Sequence, residues 1–168
     1  MTILTNNSEA AEEVIEILLP PKKAVEYHYR ELQQKKKSWT PISNCWTADP
    51  STMYPRSHNQ ELGVASTVCA YCPAMKECLY LSLVKREEYG VWGGHSAKQI
   101  QKALSEIEEE YGNIWIHWNE ESSSIILDKA HQMMQEYNTK FNIDNTKLAM
   151  IRAEREETLY QRLAELRL

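Results

Sequence analysis

The sequence is poor in several things at once. In 168 residues it holds one phenylalanine, five glycines, six prolines and four cysteines. So little glycine and proline excludes collagen-like and low-complexity chains, and four cysteines are too few for a disulfide-dense secreted scaffold. A long hydrophobic run is missing as well. The most apolar stretch, Val14 to Leu19, is interrupted by Glu16 and ended by Pro20, so no membrane span is expected. Met1 to Glu9 carries no positive charge ahead of an apolar segment, so no secretory signal is expected and the compartment is read as the reducing cytoplasm. Nor is there an excess of base: 19 Lys and Arg stand against 24 Asp and Glu, for a net charge of −5. That balance argues against a chain that grips nucleic acid over its whole surface, because such binding rests on neutralising phosphates.

The charge is unevenly spread. Residues 1–38 hold six acids and six bases, residues 39–94 five and four, and residues 95–168 thirteen and nine. The one compact basic cluster, Lys35-Lys36-Lys37, follows a helical pattern and reads as favourable charge at a helix C-terminus.

What is present is mostly helical periodicity. Ala11, Val14, Ile15 and Leu18 fall on one face behind a Ser8 cap, and Val25, His28, Tyr29 and Leu32 make a second stripe after Pro20-Pro21. Trp39 to Gln60 has the turn-rich texture of a loop. Leu62, Ala65, Ser66 and Cys69 sit at helical spacing, and Pro73 opens a helix on which Cys78, Leu79, Ser82 and Leu83 share a face. Gly90-Val91-Trp92-Gly93-Gly94 describes a tight turn that offers a large side chain outward. Ser96 and Gln99 have capping-box spacing ahead of Ile100, Ala103, Leu104, Ile107 and Tyr111, and Gly112 ends the stripe. After a linker with Trp115 and Trp118, Ser122 to Ser124 can cap a helix carrying Ile126, Ala130, Met133 and Tyr137. Asp144 or Asn145 can cap another, with Leu148, Ile151, Leu159, Leu163 and Leu166. The last two helices are expected as an antiparallel hairpin, packed on the body or on a partner. No strand pattern or solenoid repeat is visible, so the fold class is all-α.

The chemistry is concentrated in the cysteines. Cys45, Cys69, Cys72 and Cys78 give the spacing C-x23-C-x2-C-x5-C in an otherwise cysteine-free chain. Four thiolates that include one C-x-x-C pair are the ligand set of a tetrahedral metal site or of an iron–sulfur cluster. Structural zinc usually uses two short knuckles and this chain has one, which leans toward a cluster without removing zinc. A redox pair of Cys69 and Cys72 would make the chain a thiol–disulfide reductase, but that needs a βαβ context the sequence lacks. Histidines 28, 58, 95, 117 and 131 show no ligand spacing among themselves.

Taken in order, Asn44-Cys45, Asp49-Pro50, Tyr54-Pro55, Val68-Cys69-Ala70-Tyr71-Cys72-Pro73, Cys78-Leu79 and Gly90-Val91-Trp92-Gly93-Gly94 resemble the WhiB-like family of actinobacteria and their phages, over about residues 39–104. The resemblance implies an oxygen- and nitric-oxide-sensitive [4Fe-4S] cluster on Cys45, Cys69, Cys72 and Cys78, with disulfides formed among them once the cluster is lost. It implies a non-enzymatic, redox-responsive transcriptional regulator that binds the C-terminal domain of the primary sigma factor of RNA polymerase, with no membrane and no small-molecule substrate. The sigma-binding surface would comprise Trp39, Tyr54, Pro55, Gly90, Val91, Trp92, Gly93 and Gly94. The expected organisation is an N-terminal helical extension at 1–38, a cluster-binding domain at 39–111 and a C-terminal helical extension at 112–168.

Two features depart from the family pattern. The family's usual paired aromatic before the proline is here Met53-Tyr54. DNA-binding members follow GVWGG with a basic tail, whereas here the chain continues through Lys98 and Lys102 to Glu108-Glu109-Glu110. Lys98 and Lys102 are therefore the candidate DNA contacts, with sigma supplying most of the grip on DNA. A rival role is a phage-type decoy that occupies sigma or a host WhiB-like protein without activating.

Overall fold

The computed structural model describes residues 39–115 and 118–166. The two helices expected before Ser38, the Lys35 to Lys37 cluster and His117 lie outside the described residues.

Among the described residues three short 3-10 turns come first, Thr40–Ile42, Asn44–Thr47 and Pro50–Met53. Five α-helices follow: α1 His58–Thr67, α2 Met75–Lys85, α3 Ala97–Tyr111, α4 Glu120–Lys140 and α5 Asn145–Leu166. Between α2 and α3 lies a small antiparallel ribbon, β1 Val91–Trp92 and β2 His95–Ser96, with Val91 opposite Ser96 and Trp92 opposite His95. The fold is all-α apart from this ribbon. Two residues on either side of Gly93-Gly94 are too few to show strand alternation, so only the glycine turn was visible in the sequence.

Local chemistry sets the helix boundaries. Ser57 Oγ accepts from the Gln60 amide and starts α1. Ser96 and Gln99 form the capping box of α3, each side chain bonded to the other's backbone amide. The cap of α4 is Asn119 rather than the serines expected for it: its Oδ1 accepts from the Ser122 amide at 2.9 Å, and Ser122 is buried in the first turn. Asp144 Oδ1 accepts from the amides of Thr146 and Lys147 at the start of α5.

One apolar core joins four of the helices. Leu79, Leu83 and Val84 of α2 pack with Ile100, Ala103, Leu104 and Ile107 of α3, with Ile126, Ala130, Met133 and Tyr137 of α4, and with Val64 and Ala65 of α1. The stripes expected on α3 and α4 are the buried ones, except that Tyr111, past the last turn of contact, is 51% exposed. The core runs without a break across residue 111, since α4 supplies its far wall. Trp115 and Trp118 are part of it too: their rings stack at 5.2 Å, both are buried, and the Arg86 guanidinium lies 5.4 Å from the Trp115 ring.

The last two helices do not form the expected hairpin. α5 packs on the first 3-10 turn instead of along α4. The apolar face of α4 is already spent on α2, and the inward-reaching side chains of α5 include Arg152 and Arg155 as well as half-buried Leu148, Ile151 and Leu159. Met150, Tyr160 and Leu163 of α5 are exposed.

Tyr137 links α4 to α1 by donating its hydroxyl hydrogen to the Ala65 carbonyl inside the core. Tyr137→Phe leaves that carbonyl without its partner and is expected to cost about 1–2 kcal/mol in urea unfolding, with the fold retained.

Candidate metal centre

The four cysteines come from three separate pieces of chain. Cys45 sits in the second 3-10 turn, Cys69 just past the end of α1, Cys72 three residues on, and Cys78 in the first half of α2. The Cys72 amide donates to the Cys69 carbonyl at 3.0 Å, which closes a tight turn around Ala70 and Tyr71. Tyr71 takes the left-handed conformation there, φ 59°, which a residue with a Cβ adopts only under constraint. All four thiols are free of disulfides.

They form one electrostatic group. Burial pushes the Cys69 thiol up to about 12, and the Cys72 and Cys45 charges push it the same way. Cys72 and Cys78 are also raised, by burial first and then by the neighbouring sulfurs. Backbone groups oppose this: Gly94 lowers the Cys69 thiol, Gly93 that of Cys78, and Asn44 and Ala74 that of Cys72. The Asn44 amide is 3.5 Å from Cys72 Sγ, and the Arg155 charge pulls the Cys72 thiol downward. Sulfurs ringed by N–H donors and shielded from water suit an anionic, thiolate-bound group, whose binding would drive off the thiol protons. Among the described residues no group of three or more His, Cys, Asp or Glu side chains is drawn together to hold a metal ion.

The glycine turn reaches the sulfurs because it carries no side chains there. A Cβ on Gly93, φ 52°, would meet Leu79 Cγ at 2.5 Å and the Met75 carbonyl at 3.0 Å, and one on Gly94 would run into the Tyr137 ring. Between them the turn is wedged against α2 and α4. Trp92, one residue earlier, is half-buried; its Nε1 donates to the Tyr89 carbonyl at 2.7 Å and its ring meets Tyr54 edge-on at 6.1 Å. Tyr54 is 53% and Tyr89 74% exposed. Tyr54, Gly90 and Trp92 are thus brought together beside the cysteines, with Pro55 adjoining and Val91 buried beneath. Trp39, half-buried, instead opens the turn on the side that α5 covers.

Lys98 and Lys102 are exposed on α3, along a groove shared with Lys129 and Lys140 of α4. Glu61, Glu106 and Glu136 line the same groove, and Lys129 pairs with Glu106. Sequence reading missed Asn44 as a structural hub: its Nδ2 donates to the carbonyls of Val68 at 2.9 Å and Ala70 at 2.8 Å, on either side of Cys69. An asparagine before a cysteine in a turn-rich loop carries no signal for such a role.

Fold and site together define a small helical protein that carries four cysteines on three pieces of chain and a glycine turn wedged between two helices. A sequence profile described as "Transcription factor WhiB" matches residues 39–103. The chain is 32% identical over 73 residues to the transcriptional regulator WhiB4 of Mycobacterium tuberculosis strain H37Rv, a match covering 44% of this chain and 60% of that protein. It is 34% identical over 62 residues to the probable transcriptional regulator WhiB7 of the same strain, covering 37% and 66%. To the transcriptional regulator WhiB of Streptomyces coelicolor it is 31% identical over 64 residues, covering 38% and 72%. No solved structure matches the chain significantly. The chain belongs to the WhiB family, and it spans about three-fifths of the length of the WhiB4 regulators it matches.

Gly93→Ala is expected to cost about 2–4 kcal/mol from overpacking and left-handed strain, read as a lower urea midpoint. His95 gives a pH signature. Burial lowers its pKa below 6.5, and the hydrogen bond from its ring to the Gly93 carbonyl offsets this only in part. Above about pH 6.5 both folded and unfolded states hold it neutral; below, the unfolded chain takes up a proton that the folded one refuses. The thermal midpoint should therefore drop as pH falls from 7 to 5, with a smaller drop in His95→Asn.

Proposed function

We propose that this chain is a transcriptional regulator whose Cys45, Cys69, Cys72 and Cys78 hold a [4Fe-4S] cluster and whose Tyr54–Trp92 surface docks on the C-terminal domain of the primary sigma factor. The observation that carries it is the dual use of one turn. The Gly93 and Gly94 backbone eases the ionisation of Cys78 and Cys69, while Trp92, the residue before them, stands half-exposed beside Tyr54. A change at the sulfurs would then reach the docking aromatics through two peptide units.

The donor set supports a cluster over zinc. Structural four-thiolate zinc usually rests on two short C-x2-4-C knuckles, and this chain has one, Cys69 to Cys72. When bound, the cluster supplies a redox centre that oxygen and nitric oxide attack. The chain supplies the rest: burial keeps water from the sulfurs, amides and Arg155 temper their charge, and the turn holds Trp92 as a rigid aromatic anchor. The protein would act without catalysis, in the reducing interior of the cell. Direct DNA contact would be slight, since Lys98 and Lys102 share their groove with three glutamates.

Anaerobically purified protein should be brown with about four irons and four sulfides per chain; colourless protein with one zinc after anaerobic reconstitution rejects the cluster. Trp92→Ala should weaken binding to the sigma domain by at least about tenfold while leaving the visible spectrum unchanged. Unaltered affinity removes the turn from the interface.

A further inference from the structure

Helix α5 lies outside the segment matched by the family profile, yet it touches the cysteine loops at three successive levels. At its start the Asp144 amide donates to the Tyr71 hydroxyl at 3.0 Å, and Lys147 Nζ stands 4.8 Å from the centre of the same ring. Tyr71 is the left-handed residue between Cys69 and Cys72. Further along, Arg152 donates to the Pro73 carbonyl at 2.8 Å and pairs with Glu77 at 2.6 Å, which are the residues after Cys72 and before Cys78. Arg155 then donates through one nitrogen to the Ile42 carbonyl at 2.9 Å and to Asn44 Oδ1 at 2.5 Å.

The last contact has a consequence for the sulfurs. An asparagine amide can face either way, and its partners decide which. With its oxygen taken by Arg155, Asn44 turns its nitrogen toward the carbonyls of Val68 and Ala70. That orientation ties the Cys45 loop to the Cys69–Cys72 turn, beside which the Asn44 backbone N–H donates to Cys72 Sγ. We propose that α5 is a clamp on the cysteine centre, with Arg155 acting through Asn44 as a positioning residue that limits access to Cys45 and Cys72. The inference rests on the reading of the four cysteines as one centre and adds what governs its exposure. Cys69 is buried and Cys78 is carried inside helix α2, so release of the clamp exposes the thiols unequally.

The test uses the full chain, purified anaerobically, assayed for iron and sulfide, and then treated with N-ethylmaleimide while peptide mass spectrometry follows each cysteine. Arg155→Leu keeps the apolar stem and helix propensity but removes the guanidinium. It should speed labelling of Cys45 and Cys72 by about tenfold and leave Cys69 and Cys78 within about twofold, with an unchanged far-ultraviolet spectrum. Asn44→Ala should give the same pattern, and the double variant should label no faster than the faster single one, because the two residues act in series. Glu157→Ala, on the exposed side of α5, should behave as the parent. Unchanged rates, a uniform rise at all four cysteines, or additive effects in the double variant would overturn the clamp. Absence of iron and sulfide would reject the cluster and leave the clamp comparison readable, since labelling follows the thiols whatever group they hold.

Discussion

The constraint on which this structure turns is the close approach of bare backbone at Gly93 and Gly94 to the two helices on either side. Leu79 and the Met75 carbonyl press on one glycine and the Tyr137 ring on the other. Nothing larger than hydrogen fits, so the bare backbone comes near enough to ease the ionisation of Cys78 and Cys69. The short ribbon then follows from the turn, the Ser96 cap places α3 directly after it, and Tyr137 locks α4 over it through the Ala65 carbonyl. α4, which the family profile does not reach, is therefore a wall of the site as much as an extension of it.

Much of this was legible because it depends on local chemistry. Helical stripes, the capping box of Ser96 and Gln99 and the glycine turn are set by residues within a few positions of one another. The shared use of Cys45 with the other three remains an inference from their rarity in the sequence. What escaped reading was decided over long sequence separations. Arg152 and Arg155, three apart on a charged helix, have the pattern of a solvated face, and only the fold shows their partners at Pro73, Glu77, Ile42 and Asn44. Trp115 and Trp118 were placed in a linker because no periodicity surrounds them, yet they stack and seal the core. The serines at 122–124 lost the cap of α4 to Asn119, one of several side chains able to serve there.

The electrostatics of the cysteine site explain why so many amides surround it. The thiols of Cys69, Cys72 and Cys78 resist ionisation because burial disfavours the charged form, and neighbouring sulfurs add to the effect. A chain that merely needed buried sulfur for packing would gain nothing from aiming N–H groups at it. Here the amides of Asn44, Ala74, Gly93 and Gly94, with the Arg155 charge behind them, offset the desolvation of the ionised form. The site is thus pre-arranged for thiolates at a cost that is recovered only when something cationic binds them.

The outer surface follows a different logic. Its lysine-bearing groove is balanced by glutamates, so long-range attraction to phosphate is weak and strongly screened at cellular salt. The aromatic face at Tyr54 and Trp92 is the reverse: few charges, one lysine near the Trp92 ring, and two rings held edge-on by a turn with little freedom. A surface of that kind gains affinity from desolvated contact area and rigidity, and its partner selection from shape. Because the rigidity derives from Gly93 and Gly94 packed on α2 and α4, and those glycines also serve the sulfurs, the thiol site and the aromatic face cannot rearrange independently.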